Sequence, residues 1–80
     1  MEWIEVNVEC YSGYKADEYP KCFYLNNDRY EISEISDRWY QTENRGGLPN
    51  SDYFKILTEQ GSQYVLRHDL KQDTWFLKRI

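Results

Sequence analysis

Short runs in which large apolar residues return at every second position dominate this chain. Ile4-Glu5-Val6-Asn7-Val8 alternates without a break, and Phe23-Tyr24-Leu25, Tyr30-Glu31-Ile32, Tyr64-Val65-Leu66 and Trp75-Phe76-Leu77 carry the same rhythm. Successive side chains of a strand point to opposite faces, so this period belongs to half-buried β-strands and not to helices. Fourteen of the eighty residues are aromatic. Each aromatic removes about 150–250 Å² from water when buried, which lets a short chain assemble a core from few side chains. An aromatic set this dense serves as a core, as a binding platform, or as both.

The register of the strands follows from which side chains must share a face. Ile4, Val6, Val8 and Cys10 occupy one side of the first strand. A turn at Asn27-Asp28 pairs 25 with 30 and 23 with 32, collecting Phe23, Leu25, Tyr30 and Ile32 on one face. Cys22 and Tyr24 then fall on the other. Ile35 breaks the period three residues after Ile32, which calls for a bulge or bend near Ser33-Glu34. Residues 37–42 read as a further short strand. A three-residue connection, Glu59-Gln60-Gly61 with Gly61 left-handed, pairs 56 with 64 and 54 with 66. Thr74 to Arg79 make a last strand with Trp75 and Leu77 on one face and Phe76 and Lys78 on the other. Gly13 and Pro20 punctuate residues 11–20, and Gly46-Gly47 and Pro49-Asn50 break residues 43–52, so both stretches read as loops. The expectation is a single all-β domain over residues 1–80, a small SH3-like barrel or strongly bent antiparallel meander of five to seven short strands. Closure would remove exposed edges.

No apolar run reaches the ~18 residues of a membrane span. The opening Met1-Glu2-Trp3-Ile4-Glu5 lacks the pattern of a signal peptide, and the chain reads as cytoplasmic. The formal net charge is −4, unevenly spread. Residues 1–40 hold nine acids and four bases, residues 41–80 five acids and six bases. Binding to a phosphate backbone normally comes with a basic patch. The overall balance therefore points to a protein partner, neutral or basic, and weighs against nucleic acid.

The stretch from Pro20 to Leu77 resembles a group of small bacterial β-domain proteins with no established activity, some encoded near Y-family translesion DNA polymerases. The residues that carry the resemblance are Pro20, Phe23, Tyr30, Ile32, Ile35, Asp37-Arg38-Trp39, Tyr53-Phe54, Ile56, Gly61, Tyr64, Leu66, Asp69 and Trp75-Phe76-Leu77. It implies one compact β fold and a DNA-repair context. Tyr24 stands where tryptophan is common in that group. Asn44-Arg45-Gly46-Gly47 replaces its paired tryptophans or basic residues.

Catalytic chemistry finds little purchase. His68 is the one histidine, and a lone histidine at a strand end reads as a surface or turn residue. One histidine and two cysteines, Cys10 and Cys22, do not make a Cys/His zinc set. The cysteines fall on different strand faces and read as unlinked thiols. No phosphate-binding glycine loop is present, since Gly46-Gly47 is followed neither by Lys-Ser/Thr nor by a helix. The expectation is a non-enzymatic interaction module with no catalytic residues, metal or cofactor.

Phe23, Tyr30, Phe54, Tyr64 and Trp75 are assigned to the core, and Trp39 to one of its ends. Tyr11, Tyr14, Asp17, Glu18 and Tyr19 crowd one loop too polar to be buried whole. In composition this loop resembles that of SH3 domains, where aromatic grooves hold proline-rich segments and acids hold a basic anchor. The candidate binding residues are these five with Trp39 and Tyr40. The alternative partner is single-stranded nucleic acid, stacked on aromatic side chains beside a stripe of Arg45, Lys55, Arg67, Lys71, Lys78 and Arg79. An acidic aromatic groove would favour the peptide, and a basic aromatic stripe the nucleic acid.

Overall fold

Six antiparallel strands follow one another in sequence and in space, and the last pairs with the first to close a barrel. They are β1 (Ile4–Cys10), β2 (Pro20–Leu25), β3 (Asp28–Gln41), β4 (Ser51–Thr58), β5 (Gln63–Asp69) and β6 (Thr74–Arg79). The computed structural model describes residues 3–11, 19–41 and 50–80. No described helix is long and apolar enough to cross a membrane. Only three ladder pairs close the ring, Ile4↔Leu77, Glu5↔Phe76 and Val6↔Trp75. Beyond Val6, β1 turns to β2, pairing Asn7 with Tyr24 and Val8 with Phe23.

The hairpins rest on residues that tolerate a left-handed backbone. The β2–β3 turn is Asn26-Asn27, with φ of 54° and 71°, so Leu25 faces Asp28 and Phe23 faces Tyr30. Two positive φ angles define the type I′ turn that matches strand twist. This corrects the expected turn at Asn27-Asp28. The turn moves by one residue and the pairing by two, so every side chain keeps its expected face. At β4–β5 the Thr58 amide donates to Ser62 O at 2.9 Å and the Gly61 amide to Thr58 O at 2.9 Å. Gly61 has φ +93°, and Ile56↔Tyr64 and Phe54↔Leu66 pair as expected. Before β6, the Asp69 carboxylate accepts from the amides of Lys71 and Gln72 at 3.0 and 3.2 Å, tying down the 70–73 turn.

The core is Val6, Phe23, Phe54, Ile56, Tyr64, Leu66, Trp75 and Leu77, with Val8, Cys10, Leu25, Tyr30, Ile32 and Ile35 packed against it. Burying each such side chain is worth about 1.5–3 kcal/mol. The rings meet in favourable geometries. Phe23 stacks on Tyr30 at 5.1 Å and takes the edge of Tyr64 at 5.5 Å.

β3 bends through two bulges. Ser33 is left out of the ladder between Ile32↔Thr58 and Glu34↔Leu57, and Ser36 between Ile35↔Ile56 and Asp37↔Lys55. Each displaced residue is a serine whose hydroxyl donates to a β4 carbonyl: Ser33 to Leu57 O at 3.2 Å, Ser36 to Lys55 O at 3.2 Å. The hydroxyls replace ladder bonds that the bulges remove. Two bulges three residues apart convert a period of two into a period of three. Ile32, Ile35 and Arg38 thus all lie opposite core-facing β4 residues, namely Thr58, Ile56 and Phe54.

Three expectations are corrected here. Residues 37–41 continue β3 and are not a separate strand. Trp39 does not close the core; the second bulge sends it to the outer face. His68 is no surface residue. It is 6% exposed and lies flat on Trp75, its cross-strand partner, at 4.1 Å. Its Nε2 is 2.8 Å from Asp73 Oδ1. Cys22, on the side of β2 away from Phe23, is nevertheless fully buried. Its thiol points at Glu9 Oε1, 3.7 Å away. No disulfide joins it to Cys10.

Candidate functional site

The outward side chains of β3–β6 form two adjoining rows. Ladder pairing aligns Trp39, Tyr53, Arg67 and Phe76 in one, and Lys55, Val65 and Lys78 in the other. Each of β4, β5 and β6 thus offers one base and one apolar or aromatic residue to this face. Trp39 lies flat on Tyr53, centroids 5.3 Å apart and planes 5° from parallel. Trp3, just before β1, takes an edge-on position against Tyr53 at 6.1 Å. The Arg67 guanidinium lies 5.3 Å from the Trp3 ring and 4.6 Å from that of Phe76, and Lys78 Nζ 5.1 Å from Trp3. Arg67 Nε is buried with no hydrogen-bond partner among the described residues.

Beside this aromatic group opens a shallow pocket of about 450 Å³, lined by Trp39, Lys55, Val65, Lys78, Arg79 and Ile80. Its walls are mainly apolar, the charged residues among its described lining are Lys55, Lys78 and Arg79, and Trp39 is 38% exposed. One ring face of Trp39 is committed to Tyr53. Glu5, opposite Phe76, and Asp37, opposite Lys55, stand at the margins of the face.

The charge asymmetry legible in the sequence becomes an asymmetry around the barrel. Strands β1–β3 carry six acids (Glu5, Glu9, Asp28, Glu31, Glu34, Asp37) against three bases (Lys21, Arg29, Arg38). Strands β4–β6 carry two acids, Asp52 and Asp69, against four bases, Lys55, Arg67, Lys78 and Arg79. Both of those acids are occupied elsewhere, Asp52 with Arg38 and Asp69 in the 70–73 turn. On the acidic side the Tyr24 hydroxyl donates to Glu9 at 2.8 Å. That bond holds the Glu9 carboxyl below its ordinary range and Tyr24 above its own. Burial pushes the Cys22 thiol up, which opposes nucleophilic use of it.

The candidate residues read from the sequence divide. The Tyr11 amide donates to Tyr19 O at 3.0 Å, bringing the two ends of the first loop together. Tyr11, Tyr19 and Tyr40 are 59%, 43% and 52% exposed. Lys21 Nζ lies 5.9 Å from the Tyr11 ring. The Arg38 guanidinium lies 5.0 Å from both the Tyr19 and Phe54 rings, so Tyr19 also helps hold one end of the core. Tyr14, Asp17 and Glu18 lie outside the described residues. Trp39 and Tyr40, adjacent in sequence, point to opposite sides of β3, and only Trp39 belongs to the outer aromatic group.

Of the expected basic stripe, Lys55, Arg67 and Lys78 share this face and Arg79 lines its pocket. Lys71 sits in the 70–73 turn, and Arg45 is outside the described residues. Trp3, Tyr53, Val65 and Phe76 were not foreseen as part of a site. Their signal is the register itself, since the alternation that selects Phe54, Leu66 and Leu77 as core sends Tyr53, Val65 and Phe76 outward. Among the described residues no three His, Cys, Asp or Glu side chains group as a metal site. Comparison with protein-family models, with curated proteins and with solved structures finds no match to this chain.

Proposed function

We propose that this barrel is a non-enzymatic binding module that holds single-stranded nucleic acid against the outer face of β3–β6. One observation carries the reading. Trp39 rests one ring face on Tyr53, and beside it opens an apolar pocket whose described lining includes the cations Lys55, Lys78 and Arg79. Single strands are held by aromatic faces on which bases stack, next to cations that follow the phosphates. A duplex keeps its bases inside and offers nothing to stack on Trp39. Strands β1–β3 total −3 and β4–β6 total +2, so the asymmetry orients the approach of an anionic strand toward the basic side. The buried positions of His68 and Cys22 support a non-enzymatic role. The reading puts the domain in the cytoplasm, where such strands occur, and accords with the DNA-repair context implied by the resemblance.

Titration with single-stranded oligonucleotides is expected to quench tryptophan fluorescence. The affinity should fall with salt at a log–log slope of about −2, corresponding to about three phosphates. Trp39→Ala should weaken binding about 5- to 150-fold, the range for one stacked base. No binding at about 50 mM salt, where phosphate contacts are strong, ends the reading.

The exposed tyrosines favour a second reading, capture of a proline-rich peptide with a basic anchor by Tyr11, Tyr14, Asp17, Glu18, Tyr19, Trp39 and Tyr40. Lys21 and Arg38 already lie over two of those rings, where a basic anchor would compete with them. NMR shift mapping separates the two. Peptide perturbations would centre on Tyr11, Tyr19 and Tyr40, nucleic-acid perturbations on Trp39, Val65 and Lys78.

A further inference from the structure

Resting on the nucleic-acid reading, we infer that Trp3 occupies the place of a second base on this face, and that a bound strand displaces it and seats a further nucleotide there. Trp3 precedes β1 and takes no part in a ladder, since the closing pairs begin at Ile4↔Leu77. Its ring meets the face in the ways a nucleobase would. It stands edge-on to Tyr53 at 6.1 Å, 5.3 Å from the Arg67 guanidinium and 5.1 Å from Lys78 Nζ. Aromatic rings and arginine planes are the surfaces on which the bases of a single strand stack. Tyr53 is in ring contact with both Trp3 and Trp39, so the two places serve neighbouring nucleotides of one strand.

The docked tryptophan leaves one group unsatisfied. Arg67 Nε is buried with no hydrogen-bond partner among the described residues. Two rings face its guanidinium, Phe76 at 4.6 Å and Trp3 at 5.3 Å. Phe76 is fixed in the ladder as the cross-strand partner of Arg67, so displacement falls to Trp3. An indole has an N–H to donate and nothing to accept with, so the Trp3 ring offers Arg67 no hydrogen bond. A nucleotide brings acceptors on both its base and its phosphate. Exchanging the one for the other keeps the ring contacts and supplies the missing partner. Arg29 and Arg38 pair with Glu31 and Asp52, but neither Arg67 nor Lys78 has an ion pair among the described residues. Glu5, two residues on from Trp3, faces Phe76 in the Arg67 row. Its charge directs the phosphate of this nucleotide to the other row, at Lys78.

The test is fluorescence anisotropy of a dye-labelled thymidine oligonucleotide of about eight residues, titrated with the full chain; that length lies within the site size of small single-strand-binding barrels. Trp3→Ala should tighten binding about 5- to 30-fold, the hold of two exposed cation–π contacts that the strand no longer has to break. Trp39→Ala should weaken it. Adding Arg67→Gln to Trp3→Ala should take back most of the gain. NMR of the wild type gives an independent readout. The Trp3 indole N–H resonance, identified as the one missing from Trp3→Phe, should move at saturation to the position of an unstructured tryptophan. If Trp3→Ala binds no tighter than the wild type, or the Trp3 resonance keeps its docked position at saturation, the second base place is overturned and the single-strand reading stands. A gain that survives Arg67→Gln overturns it as well, since the place is then not beside Arg67. If neither the wild type nor Trp3→Ala binds at about 50 mM salt, both readings fail.

Discussion

Arg38 gives the sharpest test of how this barrel is held together. Its guanidinium lies 5.0 Å from the rings of both Tyr19 and Phe54, and its Nη2 is 3.3 Å from Asp52 Oδ2. The Arg38 and Asp52 side chains are 29% and 17% exposed. Cation–π contacts run from about 0.5–1 kcal/mol when exposed to about 2 when desolvated, so about 1 each is reasonable for a half-buried pair. A hydrogen bond to a charged group contributes about 1.5–3 kcal/mol, which the 3.3 Å length and the access of water reduce to about 1. Arg38→Ala should therefore destabilise the domain by about 3 kcal/mol. For a chain of this size that lowers Tm by about 12–24 °C.

Companion variants separate the contributions. Arg38→Met loses the cation–π contacts and the ion pair but sets a thioether against the same two rings, which returns about 1 kcal/mol and leaves a cost of about 2 kcal/mol. Asp52→Asn removes the ion pair alone, for about 1 kcal/mol. In the double variant the pair should show a coupling of about 1 kcal/mol. Urea denaturation followed by tryptophan fluorescence reads all of these. If Arg38→Met is as stable as the wild type, the guanidinium contributes nothing and the stacking argument fails. If Arg38→Ala stays within about 0.5 kcal/mol, within the range of an ordinary surface substitution, the whole assignment of Arg38 to the core end fails.

Other expectations follow from single contacts. Ser36→Ala should lower stability by only about 0.5–1 kcal/mol, the loss of one exposed hydrogen bond, whereas deleting Ser36 should unfold the domain or leave it molten, because residues 37–41 exchange faces; a deletion as mild as the substitution argues against the bulge. Gly61→Ala should destabilise by about 1–2 kcal/mol through backbone strain alone, since φ is +93° and no atom lies within 4 Å of an added Cβ; equal urea midpoints would contradict this. Cys22 is fully buried and burial raises its thiol pKa, so iodoacetamide should label it only after unfolding, and rapid native labelling in a peptide mass map would refute the placement. The Tyr24–Glu9 bond shapes the pH profile at both ends. The lowered Glu9 pKa gives stability present above the unfolded value near 4.5 and lost as pH falls through the folded one. The raised Tyr24 pKa gives stability present below the unfolded value near 10 and lost as pH rises through the folded one. Tyr24→Phe should flatten both limbs of the urea-midpoint profile, and superimposable profiles would show that the bond does not matter.

The barrel was legible in the sequence wherever strands keep a strict period of two. Phe54 and Ile56 against Leu66 and Tyr64, and Trp75 and Leu77 in β6, follow from alternation and one glycine turn. The β2–β3 turn was misplaced by one residue, and the pairing with it by two, because Asn26-Asn27 and Asn27-Asp28 are both good turn dipeptides and either choice keeps every side chain on the same face. One bulge announced itself through the Ile32–Ile35 spacing. The second did not, because the residue it turns inward is Arg38, which hydrophobic pattern cannot recognise as a core position. The error at Trp39 is a consequence of that one. His68 was misjudged for a related reason: a histidine lying flat on tryptophan behaves as an aromatic core residue, and its polarity in the sequence conceals this. As for the site, the sequence puts first a loop rich in tyrosine and acid and offers the bases of β4–β6 only as an alternative stripe, without Tyr53, Val65 and Phe76 beside them. Single bases spaced ten or more residues apart form a stripe only after the ladder aligns them.

The two bulges in β3 link stability to the proposed function. With the first bulge alone, the phase set by Ile35 would continue, sending Asp37 and Trp39 inward and Arg38 outward. The Ser36 bulge resets that phase for the last third of the strand. It turns Arg38 toward Phe54 and Tyr19, where it closes one end of the core, and in the same step turns Trp39 onto Tyr53, beside the basic pocket that it helps to line. One displaced serine thus determines both a structural contact and the proposed binding platform. Bulges elsewhere in proteins re-aim side chains near functional sites. Here the direction of the Trp39 ring, more than the number of aromatic residues, separates a binding face from a merely aromatic one.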